Sequence, residues 1–219
     1  MTNRPPLSRD RVLRAAIELA DSTGIESLSM RRLAQELDVV PMALYKHVAN
    51  KDELLDGMLD TVVGAIEAPG HDTDWKTAVR RRILSARQTM LRHRWASRAI
   101  ETRQAPTPAV LAYLDSVIGM FRRGGLSVDL THHVMHALGS RVLGFTQELY
   151  TTGPQAGPPP PELALAFPHV AEVAAAAAHE NGSVVGSGCD DQFEFEFALD
   201  LMLDGFERLH EQRWTPGRS

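Results

Sequence analysis

The sequence predicts an all-α protein, and three observations predict it. Apolar residues recur at helical spacing between the chain's breaks, and no segment alternates apolar and polar as a half-buried strand does. Aromatics are only 6% of the chain although apolar residues reach 43%, a composition rich in small side chains that suits packed helices better than sheets. The breaks are spaced to leave room for helices: Pro5-Pro6, Gly24, Pro69-Gly70, Pro106 and Pro108, Gly124-Gly125, then 153–161. That last run, Gly-Pro-Gln-Ala-Gly-Pro-Pro-Pro-Pro, can be neither helix nor central strand. At 219 residues the chain can bury a sizeable core without staples.

The elements follow in order. Ser8 caps a first helix with Leu13, Ala16, Ile17 and Ala20 on one face, and Gly24 stops it. Ser29 caps the second, and Leu28 and Leu33 have the spacing of a hydrophobic staple around that cap. It ends near Leu37, where Asp38 tolerates the left-handed conformation. Pro41 sits in the first turn of a third short helix, where its missing N–H costs little. Asn50 and Glu53 resemble a capping box opening a connecting helix over 51–68. Its Leu55, Met58, Leu59, Val62, Val63 and Ile66 are spaced for burial. Further helices are predicted over 74–91, 96–101, 108–123 with a Thr107 cap, 127–152 with Ser127 as cap, 167–180 and 190–212. Ser183-Val184-Val185 is too short and too close to glycines to be a strand.

Helices two and three, each read as about eight residues with a short turn between, have helix-turn-helix proportions. Ala34 supplies the small side chain at the crossing, and Leu33, Leu37, Val39, Leu44 and Val48 supply the apolar inner face. A helix of that size is ~12 Å long and fits the major groove of B-DNA. The outward residues are then Pro41, Met42, Ala43, Tyr45, Lys46 and His47. Tyr45, Lys46 and His47 can donate to phosphates or base edges, and Met42 and Ala43 can meet a thymine methyl. Arg31, at the start of helix two, has the reach for a bidentate contact to guanine or for a phosphate, and Lys51 stands at a helix start that attracts phosphate. Ser29, Arg31, Pro41, Met42, Ala43, Tyr45, Lys46, His47 and Lys51 are the expected DNA-contacting set.

These residues carry a resemblance. Gly24-Ile25-Glu26-Ser27-Leu28-Ser29-Met30-Arg31-Arg32-Leu33-Ala34-Gln35-Glu36-Leu37, then Ala43-Leu44-Tyr45-Lys46-His47-Val48, then Asn50-Lys51-Asp52-Glu53-Leu54-Leu55, resemble the DNA-binding domain of the tetracycline-repressor (TetR) family of bacterial transcriptional regulators. The resemblance implies a helix-turn-helix domain over 1–50, a connecting helix over 51–68, and a helical ligand-binding and dimerisation domain over 69–219. It extends weakly to the tetracycline repressor's own subgroup through His93-Arg94, Thr102-Arg103, Gly139 and Leu143-Gly144. Ala99-Ile100 and Ser140 stand where that subgroup has its metal-binding histidines, and Glu148 alone matches an acidic position. The expected effector is therefore an unidentified small molecule bound without magnesium, and no cofactor or metal is expected.

The resemblance also implies a homodimer through the 127–152 and 190–212 helices, bound to a pseudo-palindromic operator and acting as a repressor. The surplus of apolar residues on the last helix, Phe193, Phe197, Leu201 and Phe206 with Leu199, Met202 and Leu203, agrees. The expected effector walls are Trp95, Ile100, Leu114, Ile118 and Phe121, with His132, His136 and Arg141 as polar groups. The 153–161 run is either a flap over that pocket or an inert linker.

Other classes fit less well. The net charge of −5 argues against a nonspecific nucleic-acid coat and leaves room for a small reading head. Basic and acidic residues segregate: nine Lys/Arg against one acid over 76–103, eight acids against one Arg over 189–211. Arg80-Arg81-Arg82 reads as a solvated face, with docking of the two domains as the alternative. The one cysteine, Cys189, excludes an internal disulfide framework and any Cys-cluster zinc site, and a quiet structural thiol is expected there. No apolar run reaches the ~18 residues of a membrane span and residues 1–6 hold no signal-type apolar stretch, so a cytoplasmic protein without membrane partners is expected. No Gly-x-Ser-x-Gly, P-loop or Gly-x-Gly-x-x-Gly supports an enzyme. A small helical enzyme, or a metal-responsive binding protein built on His132, His133 and His136, is the alternative; His132 and His136 share a helix face, but no nearby acid completes a ligand set.

Overall fold

The structure is a computed structural model that describes residues 6–68, 74–144, 161–169, 171–172 and 191–217. Among these residues the regular structure is entirely helical. The chain divides into two compact units, Met1–Phe145 with His210–Ser219, and Thr146–Leu209.

In the first unit, α1 (Arg9–Thr23) opens at Ser8, whose side chain accepts from the Arg11 N–H, and closes at Gly24 with φ +82°. A 3-10 turn (Ile25–Ser27) leads to α2 (Met30–Glu36), capped by the Ser29 oxygen on the Arg32 N–H. Then come α3 (Pro41–Leu44), α4 (Lys51–Gly64), α5 (Trp75–Arg92), α6 (Arg94–Thr102), α7 (Pro108–Arg123), α8 (Val128–Leu138) and a 3-10 turn (Gly139–Leu143). Two apolar clusters hold the unit. Val12, Ala16, Leu19, Leu33, Ala34, Leu44 and Val48 are buried among the first three helices. Met58, Leu59, Val62, Val79, Ile83, Val117, Phe121 and Val134 are buried along the later ones. α4 packs on both α1 and α7 and so belongs to both clusters.

Five sequence expectations need correction. α3 has only four α-helical residues; the chain continues to Val48 as a turn held by His47 and Val48 N–H on the Leu44 carbonyl. α4 stops at Gly64, four residues before 68, because the Ile66 and Glu67 carbonyls are taken by the Arg82 guanidinium and the Glu67 N–H by Ser85 Oγ. Leu54, not Leu55, is the fully buried leucine of its first turn. The helix from Ser127 breaks at Gly139, whose φ of +47° leaves the helical region; residues 145–152 lie outside the described residues. Thr107 makes no side-chain cap on α7, and the Ala109 N–H is capped instead by Asp60 of α4, 3.0 Å away.

In the second unit, α9 (Pro161–Ala166) is a short helix that the sequence reading left out. α10 (Asp191–Glu211), all but its last two residues in this unit, carries a buried stripe of Phe195, Leu199, Leu203 and Phe206. Phe206 is thus not part of the exposed surplus; Phe193, Phe197 and Leu201, four residues apart on another face, are about 60% exposed. The expected Ala-rich helix beyond residue 172, most of the 153–161 run, Glu148 and Cys189 lie outside the described residues.

Candidate nucleic-acid interface and its coupling to the body

The turn between α2 and α3 is set by local chemistry. The Val39 N–H reaches the Ala34 carbonyl at 2.9 Å and the Asp38 N–H reaches Gln35 at 3.1 Å, a Schellman closure with Asp38 at φ +54° in place of the usual glycine. Pro41 then starts α3 and Leu44, fully buried, nails it to the core. This leaves Val40, Met42 and Tyr45 outward at 68%, 72% and 44% exposure. Pro41, Lys46, Arg31 and Lys51 are exposed, and Ala43 and His47 are half-buried. The side chains of Arg31, Tyr45, Lys46, His47 and Lys51 enter no hydrogen bond or ion pair among the described residues. Ser29 is committed to its cap. Val40 is the outward residue that the sequence reading left out; its place just before a helix-opening proline was the available signal.

The start of α4 is rigidly built. Asn50 Oδ1 accepts from the Glu53 N–H at 2.8 Å. Glu53 returns a bond to the Ala49 N–H at 2.6 Å, one residue earlier than a capping box has it. Lys51 therefore stands on a fixed helix start beside the outward face.

α4 presents Asp52, Asp56 and Asp60 at intervals of four, so they form one row along the helix. Arg103, between α6 and α7, pairs with Asp52 at 3.2 Å and with Asp56, and also donates to the Asp52 carbonyl at 3.3 Å. Asp60 caps α7. At the other end of α4, Arg82 is 8% exposed and holds the Ile66 and Glu67 carbonyls. Its guanidinium lies 4.6 Å over the Tyr113 ring, and the Tyr113 hydroxyl donates to the Val142 carbonyl. Burial lowers the Arg82 pKa and raises that of Tyr113, each against the opposing pull of the other. The Arg80-Arg81-Arg82 run is a solvated face only at Arg81; Arg82 is buried because backbone carbonyls and an aromatic face replace its water. The acidic row and the Arg103 partner were visible as a spacing in the sequence, but their meeting across about fifty residues was not.

The eight expected effector-wall residues do not gather around one described space. Trp95 is 5% exposed, and its indole N–H donates to Asp21 of α1 at 2.7 Å. Phe121 is fully buried with its ring 5.5 Å from Trp75. Ile100, Leu114 and Arg141 are half-buried, and Ile118 is 37% exposed. His132 and His136 are exposed on α8 with ring centroids 4.5 Å apart, and His133 stands 5.3 Å from Trp214. No group of three His, Cys, Asp or Glu among the described residues is placed to hold a metal. A cleft of about 410 Å³ lies between the end of α1 with its 3-10 turn and the α5–α6 corner, lined by Ala20, Asp21, Ile25, Leu91, Trp95 and Arg98 among others. No helix among the described residues is long and apolar enough to cross a membrane.

Known proteins share this arrangement. Residues 12–58 match the family model of bacterial regulatory proteins of the tetR family, and residues 68–210 match that of the tetracyclin repressor-like C-terminal domain. The HTH-type transcriptional repressor DrrR1 of Streptomyces coeruleorubidus is 32% identical, over 96% of this chain and 81% of that protein. A possible TetR family transcriptional regulator from Streptomyces coelicolor A3(2) superposes with a TM-score of 0.72 at 28% identity, over 92% of this chain and all of that one. The Streptomyces coelicolor TetR family protein ActR, solved in complex with actinorhodin, superposes at 0.68 with 27% identity, over 93% of this chain and 98% of that one. The helix-turn-helix that exposes Arg31, Tyr45, Lys46 and Lys51 lies in the first matched region and the helices from Trp75 on in the second: the chain belongs to the tetR family of bacterial regulatory proteins and is a DNA-binding transcriptional regulator.

Proposed function

We propose that the protein is a cytoplasmic repressor that binds a pseudo-palindromic operator as a homodimer and is released by a small molecule. The reading rests on one observation above all. Among the described residues, the side chains of Arg31, Tyr45, Lys46, His47 and Lys51 enter no hydrogen bond or ion pair, on a surface whose helix starts and turn are held by caps. Arg31 reads a base; Tyr45 and Lys51 take phosphates; Met42 and Ala43 meet a thymine methyl, with Pro41 fixing the start of α3 and Ser29 presenting Arg31. Residues 1–50 form the reading domain, 51–68 connect, and 69–219 hold the effector and the dimer contacts. One short α3 spans few base pairs, so specific affinity of ~10⁻⁸–10⁻¹¹ M needs two half-sites. The exposed stripe Phe193, Phe197 and Leu201 is the surface for the second copy. That ActR was solved with actinorhodin supports a small-molecule effector here too. Trp95, Ile100, Leu114, Ile118, Phe121, His132, His136 and Arg141 remain the proposed neighbourhood, and a mostly apolar effector without magnesium fits them. Catalysis has no residue constellation in its favour, and the relatives are regulators.

The test is binding of the full-length protein to duplexes enriched from random-sequence DNA. Arg31→Ala is expected to relax specificity at one position, a discrimination of ~1–3 kcal/mol. Lys51→Ala is expected to weaken all duplexes alike and to lower the salt slope by about one. Three alanine variants at Arg31, Tyr45 and Lys51 that bind as tightly as wild type would sink the placement of the reading face. A thermal-shift screen of metabolites and antibiotics, with hits retested for operator release, tests the effector; hits that leave DNA binding unchanged would sink the coupling.

A further inference from the structure

We infer that Asp21, His93 and Trp95 form a latch that sets the angle of the DNA-binding domain and thereby selects the half-site spacing the dimer accepts. The inference rests on the operator reading above. Asp21 lies in the last turn of α1, and its carboxylate takes donors from the other side of the cleft between α1 and the α5–α6 corner. Trp95 Nε1 donates to Oδ1 at 2.7 Å, and His93 Nδ1 lies 2.9 Å from both oxygens. A carboxylate only accepts, so the Nδ1 carries the proton in this contact. The donors are the shielded part, with the His93 side chain 16% exposed and Trp95 as a whole 5%; Asp21 is an exposed residue whose side chain is 28% exposed. The neighbouring Arg98–Glu26 pair, at 72% and 65% exposure, is a surface contact of little weight.

The anchor on the far side is stiff. His93 is the residue between α5 and α6, its N–H bonded to the Thr89 carbonyl at 2.9 Å and its carbonyl accepting from the Ala96 N–H at 2.8 Å. The first three helices are joined to the rest covalently through α4, and a body held along one helix can roll about it. A second bond away from that helix removes the roll. α1 packs on α4 and on α6, and the Trp95–Asp21 bond is a part-buried polar contact between α1 and α6.

The geometry makes the latch a spacing selector. In a two-fold dimer, a displacement of ~1.7 Å in each reading domain changes their separation by ~3.4 Å, one base-pair step. A hydrogen bond of 2.7 Å stretched by that much is gone. Intact bonds therefore hold the two reading faces to within one base pair, and broken bonds free them to take neighbouring spacings at lower affinity.

The experiment uses the full-length protein, a duplex enriched by the wild type from random-sequence DNA, and two derivatives with one base pair added or removed between the half-sites. Trp95→Phe removes the N–H and keeps a ring; Asp21→Ala removes the acceptor; Asp21→Asn keeps an acceptor for Trp95. Wild type is expected to favour the parent duplex over both derivatives by about tenfold or more, within the range of ordinary conformational coupling. Trp95→Phe and Asp21→Ala are expected to lose about tenfold on the parent and to bind all three duplexes within about threefold of one another. Asp21→Asn is expected to restore most of the preference. If Trp95→Phe keeps the wild-type spacing preference, or loses affinity equally on all three duplexes, the latch is overturned. Melting temperatures identify a variant that fails to fold, and Asp21→Asn with Trp95→Phe then decide the matter. A wild type that enriches no duplex, or only single half-sites, overturns the operator reading and the latch with it.

Discussion

Replacing Arg82 by Met keeps the unbranched stem of the side chain as far as Nε and removes everything polar that it does. Three interactions go at once: the bonds to the Ile66 and Glu67 carbonyls and the stacking of the guanidinium over Tyr113 at 4.6 Å. A hydrogen bond from a charged donor contributes ~1.5–3 kcal/mol, and a shielded cation–π contact up to ~2 kcal/mol. Against these stands the cost of burying the guanidinium, which the burial-lowered Arg82 pKa reports and which the substitution removes. Because the carbonyl of the buried Ile66 is then left without a donor, the loss side wins, and a destabilisation of ~3 kcal/mol is expected. For a chain of this size that corresponds to a melting temperature lower by ~6–12 °C. Urea unfolding followed by circular dichroism measures the first quantity and calorimetry the second. Hydrogen exchange locates the effect: the Glu67 amide, bonded to Ser85 Oγ at 3.1 Å, is expected to lose protection while the Val12 amide keeps it. A loss under ~1 kcal/mol, or unchanged protection at Glu67, would refute the view that Arg82 terminates α4.

Three other outcomes follow from single contacts. Gly144→Ala would place a Cβ 2.3 Å from Arg87 Cα at φ +73° and is expected to cost ~2–4 kcal/mol in urea unfolding, whereas Gly64→Ala meets nothing within 4 Å and is expected to be neutral or stabilising by up to ~1 kcal/mol. Asp74→Ala removes the α5 cap and is expected to cost ~1 kcal/mol at pH 7. The Asp74 carboxyl is held below its ordinary 3.8 by hydrogen bonds from the Thr77 side chain and N–H, so its contribution is present above that value and lost as pH falls through the lower folded one. Wild type and variant are therefore expected to converge in acid, and a difference that persists there would count against the cap as its source. Leu201→Glu puts a charge in the exposed Phe193–Phe197–Leu201 stripe and is expected to sediment as a folded monomer; a variant that stays dimeric points to another interface.

What was legible in the sequence was local. Ser8, Ser29, Asn50 and Ser127 all cap the helices they precede, because a cap needs only the backbone two or three residues on. Asp38 adopts the left-handed conformation expected of it, and Leu28 and Leu33 are both buried around their cap. The family motif is a run of such local signals, which is why it could be read. What was not legible depends on partners far along the chain. The end of α4 is decided by Arg82, sixteen residues after Ile66, and the cap of α7 by Asp60, forty-nine residues before Ala109. Trp95 does line a cleft, but its indole N–H is bonded to an α1 carboxylate seventy-four residues earlier, a partner that its aromatic and apolar character does not announce. Periodicity ranks positions on one helix and says nothing about which side chain crosses to another.

The distribution of these contacts along α4 explains how one helix can both hold the reading domain and let it move. One face of it is apolar, with Leu54, Met58, Leu59, Val62 and Val63 buried. Apolar burial is non-directional, so such a stripe resists separation far more than it resists a small roll or slide. Beside that stripe runs a polar row, with Arg103 on Asp52 and Asp56 and Asp60 on the Ala109 N–H, and Arg82 holds the Ile66 and Glu67 carbonyls just past the helix end. Hydrogen bonds and ion pairs weaken over fractions of an ångström and degrees of angle, so they set the orientation that the stripe leaves open. Arg103 and Ala109 flank the α6–α7 connection, next to Ile100 in the proposed effector neighbourhood. A shift of that connection too small to disturb the apolar stripe is large enough to exchange one set of polar partners for none. Breaking those bonds would leave the helix in place on its apolar stripe and free its angle, which is the change that a two-state reading domain requires.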